Sequence, residues 1–166
     1  MLRVTEIIGS VFPMGFADHE AMQRGTEIHE AISSFILNGD ISDKYEAIVR
    51  RYAEWHELMV EEVVAVEERF TKLVGSNCSL AYTGQPDLLA VINDELTLID
   101  FKTGGESKSH RLQTIAYCDG WPNGHRIAKR GCLYTDGMKW KEHDRWDADR
   151  AGWLAACELK KWKDGM

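Results

Sequence analysis

Apolar positions recur along this chain with two periods, and the changes of period divide it into elements. Val4 to Phe12 is short and rich in β-branched residues, which predicts a strand ended by Pro13 and Gly15. Asp18 is an N-cap residue, and Ile28, Ala31, Ile32, Phe35 and Ile36 then fall at helical spacing, so a helix is expected to run to Asn38-Gly39. Ser42 opens a second helix from Asp43 to about Leu58, with Tyr45, Ile48, Val49, Tyr52 and Trp55 on one stripe. From Glu61 to Phe70 the run is β-branched and predicts a strand. Tyr82 to Ile92 and Leu96 to Lys102 form a hairpin across Asn93-Asp94, residues that tolerate the left-handed turn conformation. His110 to Gly120 is helical again, with Leu112, Ile115 and Ala116 apolar. Ile127 to Tyr134 and Met138 to His143 pair across Asp136-Gly137. Asp147 caps a last helix, Arg150 to Lys163, with Trp153, Leu154, Cys157 and Leu159 turned inward. Helices, three strands, a helix, a strand pair and a helix imply an α/β fold, a mixed sheet flanked by helices.

The central hairpin carries chemistry. With Asn93 and Asp94 as the two turn residues, Ile92 faces Glu95, and counting outward puts Asp87 opposite Asp100. Side chains alternate along a strand, so Asp87, Asp100 and Lys102 share a face. Directly opposed residues sit about 4.5–5.5 Å apart at Cβ, and two carboxylates that close repel unless a proton or cation lies between them. A divalent metal with Lys102 beside it is the economical explanation. The competing reading makes Asp87 a turn acid after Pro86, and Asp100 and Lys102 a solvated edge. Leu98 and Ile99 leading into Asp100, with Phe101 between the charges, weigh against it, because the charges emerge from a core strand. Gly84, Gly104 and Gly105 leave room for a backbone or phosphate to approach.

These residues resemble the PD-(D/E)XK nuclease superfamily, and within it the RecB-type exonuclease branch of phages and recombination enzymes. The match is Pro86-Asp87, then Asp100-Phe101-Lys102-Thr103. The resemblance spans about Gly25 to Tyr134 and implies a restriction-endonuclease-like αβββαβ core with an extra helix at each end. Gly25-Thr26-Glu27-Ile28-His29 looks like the G-x-x-x-H segment that brings a histidine to the metal. Glu67, with Glu68 as its competitor, resembles the glutamate near the centre in relatives. Gln113 and Tyr117, four apart on one helix face, match the branch's Q-x-x-x-Y. The resemblance implies Mg²⁺ or Mn²⁺ held by Asp87, Asp100, His29 and the Phe101 carbonyl. Lys102 would orient the attacking water, Gln113 would position Lys102 or the water, Tyr117 would meet a phosphate, and Glu67 would assist a second ion. The close cysteine spacing of relatives with an iron–sulfur cluster is absent, so no cluster is expected.

Composition fits this picture without demanding it. The 166 residues suit one domain over 1–166, and 44% hydrophobic with 28% charged content is ordinary for a globular chain. A net charge of −7 argues against a general nucleic-acid coating protein, though not against a nuclease with a local basic groove. Candidate groove residues are Arg50-Arg51, Lys108-His110-Arg111 and Arg126-Lys129-Arg130. No apolar run approaches the roughly 20 residues of a membrane span, and Thr5-Glu6 make the N-terminus too polar for a secretory signal. Cys78, Cys118, Cys132 and Cys157 are far apart, as reduced core thiols of a cytoplasmic protein would be (host cytoplasm if phage-encoded). The expected partner is DNA with a free end, single- or double-stranded; a homo-oligomer and a helicase or recombinase partner remain open. Two rival functions share the residues: a catalytically inactive nuclease fold that binds DNA or protein, and a site-specific endonuclease.

Overall fold

The computed structural model describes residues 1–12, 19–74 and 80–165. Pro13, Gly15 and Asp18, expected to end the first element and cap the helix, lie outside these residues, as does Cys78.

The main sheet has five strands in the order β2 (Glu62–Val66), β5 (Leu88–Ile92), β6 (Glu95–Lys102), β7 (Lys129–Tyr134) and β8 (Lys139–Glu142). It is mixed: β6 and β7 run parallel and the other neighbours antiparallel. A smaller sheet orders β1 (Leu2–Arg3), β4 (Leu80–Gly84) and β3 (Phe70–Val74). Alternation along β5 and β6 sends Leu89 and Leu98 into one core and Leu88, Ile99 and Phe101 into another. The first core is closed by α1 (Val4–Val11), α4 (Lys108–Gly120) and α5 (Trp146–Asp164). The second is closed by α2 (His19–Asn38) and α3 (Glu46–Met59), through Ile28, Ile32, Ile48 and Tyr52. A 3-10 turn, Asp43–Tyr45, leads into α3. No helix among the described residues is long and apolar enough to cross a membrane.

Five expectations change. Val4 to Val11 is a helix, not a strand, because Val4, Ile7 and Ile8 are buried at i, i+3 and i+4; Glu6 accepts the Arg3 N–H at 2.7 Å and caps its start. Glu61 to Phe70 is two strands in two sheets. The chain breaks at Glu67, which is left-handed at φ 48°. Tyr82 to Ile92 likewise divides at Gln85 to Asp87, between β4 and β5. Together the four strands form one long hairpin bent across both sheets, with Val66 opposite Leu88 before the corner and Phe70 opposite Gly84 after it. Finally, α5 begins at Trp146, so Asp147 sits in its first turn rather than at the cap, and Leu154 and Leu159 are exposed while Ala156 is buried. The turn between β7 and β8 is also longer than Asp136-Gly137: Tyr134 pairs with Lys139, and Met138 takes the left-handed position.

Candidate active site

The turn Asn93-Asp94 has φ of 51° and 60°, the two left-handed positions of a tight hairpin. Its register runs from Ile92 opposite Glu95 to Leu88 opposite Ile99. One step further, where β5 has ended, Asp87 meets the end of β6 and its Oδ2 accepts the Phe101 N–H at 2.6 Å. That bond satisfies a backbone donor which the departing strand leaves unpaired. Asp87 and Asp100 are 8% and 2% exposed.

Helices from both sides complete the cluster. On α2, the buried Ile28 anchors the helix and sets His29 toward the sheet, with Nδ1 3.2 Å from Asp87 Oδ1 and the ring edge-on to Phe101. One turn earlier, Gly25 lets the helix approach Thr103; a Cβ there would sit 3.1 Å from Thr103 Oγ1. On α4, Gln113 bridges three groups. Its Oε1 accepts from Lys102 Nζ at 3.1 Å, while Nε2 donates to Tyr117 Oη at 2.8 Å and to Asp100 Oδ1 at 3.3 Å. Lys102 Nζ lies 2.5 Å from Asp100 Oδ2. The six residues His29, Asp87, Asp100, Lys102, Gln113 and Tyr117 therefore come together.

Glu67 stands at the edge of this cluster. Its backbone N–H donates to the Asp87 carbonyl at 3.1 Å, and its carboxylate accepts from Ser33 Oγ at 2.8 Å. Ser33 lies one turn after His29, so Glu67 faces α2 while Glu68 is exposed. A bulge between Val63 and Ala65 explains why strand alternation could not choose between the two glutamates. Sequence reasoning passed over Cys132. The parallel register sets it beside Asp100, and its Sγ lies 3.8 Å from Asp100 Oδ2. Its only signal is position on the strand after the helix.

Burial and charge act against each other here. Burial, with Asp87 nearby, holds the Asp100 carboxyl above its usual value despite Lys102. Burial also acts to raise Asp87, but His29, Lys102 and the Phe101 N–H outweigh it and keep Asp87 below the usual value. For His29 and Lys102 burial disfavours the charge, yet the two aspartates prevail and both groups are raised. The ammonium form of Lys102 is thereby favoured. Burial, then Asp100 and Asp87, put the Tyr117 phenol well above its normal range, so it stays protonated.

Four of the eight expected groove residues are committed elsewhere. Arg50 pairs with Glu46, Lys129 with Glu95, and Arg111 with Asp149 and Asp144. Arg130 is fully buried against Asp149.

Among the described residues no three His, Cys, Asp or Glu side chains already converge as a metal cage. The donor chemistry nevertheless fits a hard divalent ion. Two buried carboxylates and an imidazole gather at one strand end, and a carboxylate offers about four acceptor sites, of which Asp87 uses two.

Of the comparisons with known proteins, the family match is the informative one. No curated protein matches the sequence. Among solved structures, the chain is similar to SSO0001 at 12% identity and a TM-score of 0.44, over 95% of this chain and 75% of that one; a likeness of that degree carries no argument. The model of the PD-(D/E)XK nuclease superfamily matches residues 16–138. That match includes every element that builds the acid cluster and leaves out β1, α1, β8 and α5. This chain belongs to the PD-(D/E)XK nuclease superfamily, and its mixed sheet flanked by helices is that family's restriction-endonuclease-like fold.

Proposed function

We propose that this chain is a Mg²⁺- or Mn²⁺-dependent deoxyribonuclease of the RecB type that digests DNA from a free end. The observation that carries the reading is the Gln113 amide, which ties Asp100 and Lys102 to Tyr117 in one hydrogen-bonded run. An inactive binding fold has no physical need for two buried carboxylates, Asp87 and Asp100, at one strand end with Asp100 held by Gln113 and Lys102.

Asp87, Asp100, His29 and the Phe101 carbonyl would hold the ion. Bound there, it supplies Lewis acidity, polarising the scissile phosphate and making water more acidic. The protein's own residues do the rest. Lys102, kept protonated by the two aspartates, orients water and offsets charge on the attacked phosphate. Gln113 fixes the Lys102 ammonium. The Tyr117 phenol donates to a phosphate oxygen, and Glu67 assists a second ion. Water adds to phosphorus, one P–O ester bond breaks, and the leaving oxygen takes a proton.

The test is digestion of end-labelled linear and covalently closed circular DNA, single- and double-stranded, with Mg²⁺, Mn²⁺ or EDTA. Linear DNA should disappear only with metal, and circles of the same sequence should survive. Full activity in excess EDTA refutes the metal role. Discrete bands from circles mean a site-specific endonuclease, and binding without cleavage under any metal means an inactive module.

A further inference from the structure

Beside the acid cluster the protein has a second feature suited to DNA. A cleft of about 270 Å³ opens where the small sheet meets α4, lined by Arg3, Thr5, Arg69, Thr83, Gln85 and Tyr117. Both arginines are exposed, and among the described residues neither guanidinium has a carboxylate partner. Arg69 instead donates Nη2 to Gln85 Oε1 at 3.1 Å. Elsewhere the cations of this acidic chain are mostly neutralised, as with Arg50, Arg111, Lys129, Arg130, Lys141 and Arg150. The strands of the small sheet, by contrast, contain no acid at all. The lining of the cleft therefore carries two arginines and no acid on a molecule of net charge −7, although Glu6 lies on the Arg3 N–H and Glu67-Glu68 precede Arg69.

Its position relates it to the reaction. Tyr117 belongs to both places, its ring lining the cleft and its hydroxyl accepting from Gln113. Gln85 is two residues from Asp87, a separation of at most about 7 Å, the reach of extended chain. Successive nucleotides of a strand rise about 3.4 Å, so the cleft lies one or two nucleotides from the bond at Asp87 and Asp100.

We infer that Arg3 and Arg69 form a phosphate subsite which grips the DNA strand one or two nucleotides from the scissile bond and sets the strand's register in the active site. The Thr5 hydroxyl supplies a further donor, whereas that of Thr83 donates to the Phe70 carbonyl at 2.6 Å, and the Gln85 contact keeps the Arg69 guanidinium aimed along the strand. The oxygens gripped belong to an internal diester or to a terminal monoester. The inference rests on the nuclease reading for its ligand.

The experiment measures binding of fluorescein-labelled DNA oligonucleotides by anisotropy, in Ca²⁺ and over a range of salt, with a gel to confirm that the probe stays intact. The probes carry a 5′-phosphate, a 5′-hydroxyl or a 3′-phosphate, or one neutral methylphosphonate linkage placed at successive positions from the end. Arg69→Gln and Arg3→Gln should each weaken binding about ten-fold at moderate salt and lower the salt slope by about 1. Arg69→Lys should restore part of the affinity. One neutral linkage should cost the parent protein about as much as one arginine and cost the double variant nothing. If removing a terminal phosphate has that effect instead, the ligand is the monoester. Arg50→Gln, which removes the same charge from a paired surface site, is the comparison. If Arg69→Gln matches Arg50→Gln in affinity and slope, or every neutral linkage costs the double variant as much as the parent, the subsite is refuted. Both arginines are exposed, and unchanged melting temperatures confirm folding. Failure of the nuclease reading is distinguishable, since it shows as no cleavage in Mg²⁺ or Mn²⁺ while these binding differences persist.

Discussion

Replacing Asp149 by asparagine should destabilise the protein by about 3–5 kcal/mol, the usual cost of removing one partner from a buried ion pair. The geometry is demanding. The Arg130 side chain is fully buried, with Nη2 2.5 Å from Asp149 Oδ2, Nη1 on the Arg111 carbonyl and Thr114 Oγ1, and the guanidinium 4.8 Å over the Trp146 ring. Its Nε has no hydrogen-bond partner, so the loss of Asp149 leaves a buried cation with neutral acceptors only. Against a typical total of about 5–15 kcal/mol this is a large fraction. At about 2–4 °C per kcal/mol for a chain of this size, the melting temperature should fall by roughly 6–20 °C. Urea titration at pH 7 followed by circular dichroism measures it, with an unchanged m-value confirming two-state comparison. The sign with pH is fixed as well. Burial acts to raise Asp149, but Arg111 and Arg130 outweigh it and hold the carboxyl below its ordinary value of 3.8. The stability it gives is complete above that value and is lost as pH falls through the folded-state value, so the parent and Asp149→Asn curves should converge in acid. Arg130→Met combined with Asp149→Leu should recover most of the loss, because apolar replacement of both partners removes the desolvation cost. A loss under about 1 kcal/mol at pH 7 would refute the reasoning and make the pair a solvated contact.

Gly84→Ala should lower both stability and cleavage rate, since a Cβ there would lie 2.5 Å from Phe70 Cζ and 2.8 Å from Tyr117 Cδ1; an overpacking cost of about 1–3 kcal/mol would be read from thermal melts. Lys102→Ala should keep the fold and lose at least ~10²-fold in cleavage rate under saturating metal, the scale of one transition-state group removed, checked by single-turnover digestion. Burial, aided by Arg130 and Arg111, pushes His143 down to about 4. Its neutral form is favoured by folding, so stability should be whole above about 6.5 and decline as pH falls toward 4, a slope that urea midpoints should show flattened in His143→Gln.

The hairpin chemistry was readable because it is local. Two turn residues fix the register of β5 against β6, and alternation then settles which face Asp100 and Lys102 share. Helical spacing put Gln113 and Tyr117 on one face, but only the resemblance to the Q-x-x-x-Y pattern pointed to a role for them. What escaped depends on contacts between distant segments. A run such as Val4 to Val11 has β-branched residues that suit either element, and only packing against α4 and α5 makes it a helix. Arg130 reads as a surface cation until Asp149, on another element, is known to lie beside it. The change of sheet at Glu67 leaves no sequence signal either, since a glutamate rarely takes a positive φ. His29 lies midway between these cases. Its helix was evident, but its distance from Asp87 depends on how α2 crosses the sheet.

The bent hairpin has a consequence for how this chain tolerates insertions and deletions. Between the last pair of one sheet, Val66 and Leu88, and the first pair of the other, Phe70 and Gly84, each arm has three residues. Equal arms keep the same parity of facing on both sides of the corner, which lets Phe70 pack on Tyr117 while Asp87 still meets the Phe101 N–H. Removing one residue from Glu67 to Arg69 alone would turn every side chain of β3 to its opposite face. A matching removal from Gln85 to Asp87 would restore the pairing but delete or displace the aspartate itself. The two short arms are thus a matched pair of fixed length, and variation in chain length belongs in the other connections of the fold.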